Sequence, residues 1–118
     1  MNHDGVAISG SYVNLKGFRG ECSGMEVTGS SIQLENLASS GSSFDFILKG
    51  NKITATDTTG TKLIVEGNNN AVKKAVFTTA KVKGNSNELN DVSLWFYHLD
   101  EQVEVTGDKN KLTGCKII

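Results

Sequence analysis

The sequence contains no proline, only two cysteines and no long apolar run. A disordered, loop-rich chain of 118 residues would normally carry prolines. Their absence beside 13 glycines therefore indicates an ordered chain with many tight turns. No apolar run approaches the ~20 residues of a membrane helix, so no membrane is expected as a partner. Cys22 and Cys115 lack the Cys-x-x-Cys or Cys/His spacing of a metal site and are expected to be reduced thiols.

The sequence also lacks an excess of charge of one sign. Lys and Arg number 12 against 13 Asp and Glu, which gives a net charge of −1. This balance provides no electrostatic reason to expect binding to nucleic acid or to an anionic membrane. The first ten residues have neither the basic region nor the apolar region of a secretory signal, so we expect a cytoplasmic or virion-associated protein. The length predicts one domain that spans residues 1–118.

A repeated apolar-x-Gly step runs along the whole chain. Its glycines are Gly10, Gly29, Gly50, Gly67, Gly84 and Gly107, at intervals of 19, 21, 17, 17 and 23 residues. We aligned the repeats on these glycines and compared the positions four and two before Gly and five and eight after it. These positions are apolar in 23 of 24 cases, with Thr58 as the exception. Because 37% of all residues are apolar, chance would supply about nine.

This repeat predicts an all-β fold, a right-handed three-sided parallel β-helix (β-solenoid) of about six coils. Each coil contributes three short strands, and equivalent positions stack ~4.8 Å apart. The right-handed sense follows from the preference of parallel crossover connections. Asn70, Asn87 and Asn110 occupy an inward position that is apolar in the earlier coils. They predict a turn with left-handed backbone and an asparagine ladder hydrogen-bonded along the axis.

The coil repeat of residues 5–118 resembles the right-handed parallel β-helix, or pectin-lyase-like, architecture. The turns of the GNNNAV type are also similar to those of short bacterial β-solenoid domains. The resemblance implies a fold, and a fold that is reused so widely carries no function by itself. Many parallel β-helices cleave or isomerise polysaccharides, so carbohydrate binding or carbohydrate activity is one implied alternative.

Departures from the repeat are the candidate functional features, because insertions in a solenoid map to one edge of the stack. The longest insertion begins with four candidate protein-binding residues, Trp95, Phe96, Tyr97 and His98. Aromatic side chains with a polar group are common at interaction hot spots. The alternative interpretation is that the insertion folds back and covers the final coil.

Two further features predict protein contacts. Ile47 and Ile64 stack on an otherwise polar outward face, and such an apolar patch can mark a partner surface. The last coil ends in Ile117 and Ile118 without a polar cap. Since the terminal coils of a solenoid expose backbone groups and apolar side chains, we expect docking or homo-oligomer formation through the C-terminal coil.

Together these features predict a non-enzymatic protein-binding β-solenoid, a small phage or bacterial inhibitor or adaptor. The alternatives are a structural segment of an oligomeric fibre or spike and a carbohydrate-binding or carbohydrate-active β-helix. The outward acids are scattered over different faces, and several are predicted to form cross-coil charge pairs. Those pairs are Lys16–Glu35, Lys81–Glu104 and Glu88–Lys111. We therefore predict no catalytic residues, no metal and no cofactor.

Overall fold

The computed structural model describes residues 6–17, 19–20, 24–39, 44–94 and 104–117, and all their regular secondary structure is β-strand. These residues form twelve strands: β1 Val6–Ser11, β2 Asn14–Lys16, β3 Arg19–Gly20, β4 Gly24–Ser39, β5 Asp45–Thr59, β6 Lys62–Asn68, β7 Ala71–Phe77, β8 Thr79–Asn85, β9 Glu88–Leu94, β10 Glu104–Thr106, β11 Lys111–Thr113 and β12 Lys116–Ile117. Within the described ranges, no helix has the length and apolar character needed to cross a membrane.

Neighbouring coils pair in parallel at equivalent positions. Gly10 pairs with Gly29, Gly29 with Gly50, Gly50 with Gly67 and Gly67 with Gly84. The chain therefore winds as a parallel β-solenoid, which confirms the predicted class. The solenoid has about five turns and not six, because six glycine levels enclose five complete turns.

The glycine column fixes this register. Its six members have φ between 114° and 146°, a range that residues with a side chain rarely adopt. A Cβ atom at Gly67 would lie 1.9 Å from the carbonyl oxygen of Gly50. The same construction at Gly29, Gly50, Gly84 and Gly107 gives 1.8 Å to the preceding glycine oxygen. Only glycine allows the backbones of successive coils to approach this closely.

Two further columns of left-handed residues form corners of the coil. The second residue after each glycine has φ between 56° and 60°; this column is Tyr12, Ser31, Lys52, Asn69, Ser86 and Lys109. The seventh residue after each glycine has φ between 54° and 72°; this column is Gly17, Asn36, Asp57, Lys74, Asp91 and Gly114. One left-handed residue bends the extended chain, so a strand turns a corner without a separate loop.

The asparagine ladder is confirmed, and each of these turns contains one left-handed residue, although it is not the ladder asparagine itself. The positive φ falls one residue earlier, at Asn69, Ser86 and Lys109, which leaves the asparagine side chains pointing inward. Ile53, Asn70 and Asn87 donate their backbone N–H groups to the Oδ1 atoms of Asn70, Asn87 and Asn110 at 2.9, 3.0 and 2.9 Å. The three Nδ2 groups donate to the carbonyls of Gly50, Gly67 and Gly84 at 2.9 Å. The buried amides are thus satisfied by neighbouring coils.

The core contains the predicted inward columns. All sixteen of their residues in the four middle coils are buried, including Thr58. The Thr58 hydroxyl has no hydrogen-bond partner among the described residues. Phe44 stacks on Phe46 with ring centroids 5.9 Å apart, and Phe46 on Phe77 at 6.1 Å. All three rings are buried in the core.

Replacing Gly67 by Ala tests the glycine column. The new methyl group would overlap the Gly50 carbonyl, so we expect a loss of more than about 3 kcal/mol in the free energy of unfolding. Gly17→Ala is the matched control, since Gly17 also has positive φ but has no atom within 4 Å of its Cβ position. The control should cost about 1 kcal/mol. Equal losses in chemical denaturation would contradict the close approach.

Candidate functional site

The predicted aromatic residues Trp95, Phe96, Tyr97 and His98 lie outside the described residues, as does Ile118. Ile117 is the last described residue and pairs with Leu94 in the β12–β9 ladder. The predicted role of these residues in protein binding stays a prediction.

Ile47 and Ile64 are neighbours on the outward face of β5 and β6, as predicted from their column. Both side chains are half-buried. Charged residues bound the pair within the same column, because Glu26 pairs with Ile47 and Lys81 with Ile64. The apolar surface that the pair presents is therefore small.

At the C-terminal end of the stack, apolar side chains of the inward columns are exposed. Among the described residues, β10 and β11 each have a neighbouring strand on one side only. Val105 and Leu112 occupy inward columns, yet they are 40% and 46% exposed. Val82 and Leu89, the equivalent residues one coil earlier, are 2% and 1% exposed. We call β10, β11 and these two exposed side chains the C-terminal end surface.

The N-terminal end of the stack also has strands with a neighbour on one side only. In the described chain, β1 and β2 pair with β4 and have no strand on their other side. Val6, Ile8, Val13 and Leu15 pack against the core and are half-buried. We call β1, β2 and these side chains the N-terminal end surface.

A second polar ladder leads to the C-terminal end surface. It occupies the position directly after each glycine, and here the later coil donates to the earlier one. Asn68, Asn85 and Asp108 donate their backbone N–H groups to the Oδ1 atoms of Asn51, Asn68 and Asn85 at 3.2, 3.2 and 2.9 Å. The ladder thus ends at Asp108. Its carboxylate occupies the position at which the side chains of Asn68 and Asn85 each accept a hydrogen bond from the next coil.

A shallow groove lies along the corner that follows the glycine column. Its volume is about 410 Å³, and it is lined by Tyr12, Val13, Asn14, Ser31, Gln33, Lys52 and Thr54. The Tyr12 side chain is 86% exposed. The groove therefore combines an accessible aromatic ring with amide and hydroxyl groups from three coils.

Charged side chains form cross-coil pairs on the outward faces. The predicted pairs Lys16–Glu35 and Lys81–Glu104 are confirmed, with N···O distances of 3.6 and 3.8 Å. Glu88 and Lys111 are in register, but the Glu88 carboxylate accepts a hydrogen bond from Asn90 at 3.5 Å. Such exposed pairs contribute at most about 1 kcal/mol. In the described part of the chain, no group of three or more His, Cys, Asp or Glu residues could hold a metal ion.

Comparison with protein-family models, curated proteins and solved structures finds no match to this chain. Sequence reasoning assigned Val105 and Leu112 to the core, because their columns are apolar in every coil. The sequence predicted exposed apolar side chains at the C-terminal coil but named Ile117 and Ile118, although the place of Val105 and Leu112 in the last repeat carried the same signal. Tyr12 was missed because the alternation of strands carries no information about a corner residue.

Proposed function

We propose that this chain is a non-enzymatic protein-binding β-solenoid that meets its partner through the C-terminal end surface. The supporting observation is the exposure of Val105 and Leu112, whose equivalents in the preceding coil are buried. Covering two such side chains stabilises a complex by about 1–2 kcal/mol each. The open edges of β10 and β11 add backbone donors and acceptors, so the partner is a protein that adds strands to the stack.

The biological setting that we propose is a phage or bacterial inhibitor or adaptor. Trp95, Phe96, Tyr97 and His98 belong to the proposal as further contact residues, since their insertion directly precedes the last coil in sequence. Ile47 and Ile64 are at most a secondary contact, because both are half-buried. The resemblance to the pectin-lyase-like architecture concerns the structure of the coil only and implies no function.

Replacing Val105 by Glu should abolish partner binding, because a carboxylate would then face the apolar segment that covers the end. Val76→Glu is the matched control, since Val76 is 38% exposed but lies on an outward face in the middle of the stack. The measurement is quantitative mass spectrometry of proteins retained from an extract of the source cell by each variant. A specific partner should be kept by the wild type and by Val76→Glu and lost by Val105→Glu. A partner that both variants retain equally would contradict the proposed surface.

Binding of a neutral carbohydrate in the Tyr12 groove is the second candidate function. It is favoured by one observation, the exposed Tyr12 ring beside the amide-bearing Asn14 and Gln33. An aromatic face can pack on the apolar face of a sugar ring, while amides hydrogen-bond to its hydroxyls. The groove is open and shallow, so the affinity should be low.

Replacing Tyr12 by Ala tests this second candidate, while Tyr12→Phe keeps the ring and serves as the control. In titrations with neutral oligosaccharides followed by calorimetry, Tyr12→Ala should weaken binding about tenfold and Tyr12→Phe should change it little. Absence of binding by the wild-type protein to any oligosaccharide in the panel would contradict the carbohydrate candidate.

A further inference from the structure

We infer that the occupant of the C-terminal end surface is the N-terminal end surface of a second copy of this chain. The two copies stack head to tail, so that the solenoid continues from one molecule into the next. This inference rests on the proposed function because it uses the same end surface. It narrows the partner to this chain itself, and the structural segment of a linear assembly then takes the place of the inhibitor or adaptor setting.

The two end surfaces match column by column. When Gly107 of one copy is placed next to Gly10 of the other, Val105 meets Ile8 and Leu112 meets Leu15. Within the molecule the same columns pair Val105 with Val82 and Leu112 with Leu89. Apolar side chains that are half-buried at one end and exposed at the other would therefore cover each other.

The second polar ladder supplies a hydrogen bond across the junction. Asn85 accepts a bond from the Asp108 backbone N–H at 2.9 Å, and the ladder ends at the Asp108 side chain. In the stacked arrangement the next backbone N–H is that of Ser11 in the second copy. The Asp108 carboxylate is positioned to accept this bond, and hydrogen bonds to an ionised acceptor are stronger than neutral ones.

Strand direction selects the head-to-tail arrangement over other contacts between copies. All the described ladders are parallel, and only a C-terminal end placed on an N-terminal end continues them in the same direction. Two C-terminal ends related by a twofold axis would meet with antiparallel strands, and the glycine columns would not align. A head-to-tail contact leaves one free end on each side of the junction, so it generates linear assemblies of increasing length.

The charges at the junction permit association, and a backbone N–H group without an acceptor limits its strength. Glu104 would meet Ala7, Lys111 would meet Asn14 and Thr113 would meet Lys16, so these columns bring no like charges together. The Asn110 N–H would face Val13, which has no side-chain acceptor. We therefore expect reversible, concentration-dependent assembly.

Sedimentation of the full chain, alone and in mixtures of variants, tests the inference. The wild type should show an average mass that rises with concentration. Ile8→Glu and Val105→Glu should each weaken assembly about 100-fold, because each would place an unpaired carboxylate in a covered apolar contact. An equimolar mixture of the two variants should form dimers that do not grow, since each retains the end surface that the other has lost. Val76→Glu should assemble like the wild type.

Ile8→Glu and Val105→Glu replace an apolar side chain by a charged one, which can also disturb the folding of the terminal coil. Variants of Asp108 provide a second test without this effect. Asp108 is exposed, so its replacement should leave the fold intact. Asp108→Asn restores the residue type that occupies this column in the preceding coils and should keep assembly, whereas Asp108→Ala should weaken it about tenfold. Equal assembly of the two Asp108 variants would overturn the predicted junction.

Three further results would overturn the inference. One is a wild type that stays monomeric at every concentration. Another is dimer formation by Ile8→Glu alone together with its loss in Val105→Glu, which would indicate contact between two C-terminal ends. The third is an equimolar mixture of the two variants that contains no dimer. If the wild type is monomeric while Val105→Glu still loses a specific partner, the inference fails and the proposed function stands.

Discussion

The close approach of glycine backbones in successive coils is the constraint on which the rest of the structure depends. Five of the six glycines in the column leave less than 2 Å between a hypothetical Cβ and the carbonyl of the coil before. The register is therefore set at one position in every coil. Because side chains alternate along a strand, this one position determines which residues face inward over the whole stack. The core and both asparagine ladders follow from it.

The same regular stacking explains why the ends of the solenoid are its candidate binding surfaces. Residues of an inward column are covered only while another coil follows. In the middle coils these columns are buried, and at Val105 and Leu112 they are exposed. The hydrogen-bond ladders also end there, one at the Asp108 side chain and the buried one at Asn110. A stack that is built by repeated parallel addition thus presents, at its last coil, the groups needed for one more addition.

The fold could be predicted from the sequence because its signal is repeated in every coil. A single apolar-x-Gly step is weak, but six steps with matching apolar columns are specific. The geometry of the corners was harder to predict from the sequence than the strands. Tyr12, Ser31 and Lys52 share a left-handed φ although their side chains have little in common. Backbone position in the coil, and not residue type, imposes that conformation. Exposed apolar side chains at the C-terminal coil were expected from the repeat, whereas the extent to which Val105 is exposed and the presence of the Tyr12 groove depend on packing that a local pattern does not contain.

Nuclear Overhauser contacts between successive coils are the most direct test of the central claim. The register predicts contacts from Hα to HN that link Gly50 with Gly67 and Gly67 with Gly84, as in parallel strands. It also predicts a protected amide at Asn70, whose N–H donates to the buried Asn87 side chain. Strong Hα–Hα contacts between neighbouring strands would indicate antiparallel pairing and would contradict the account.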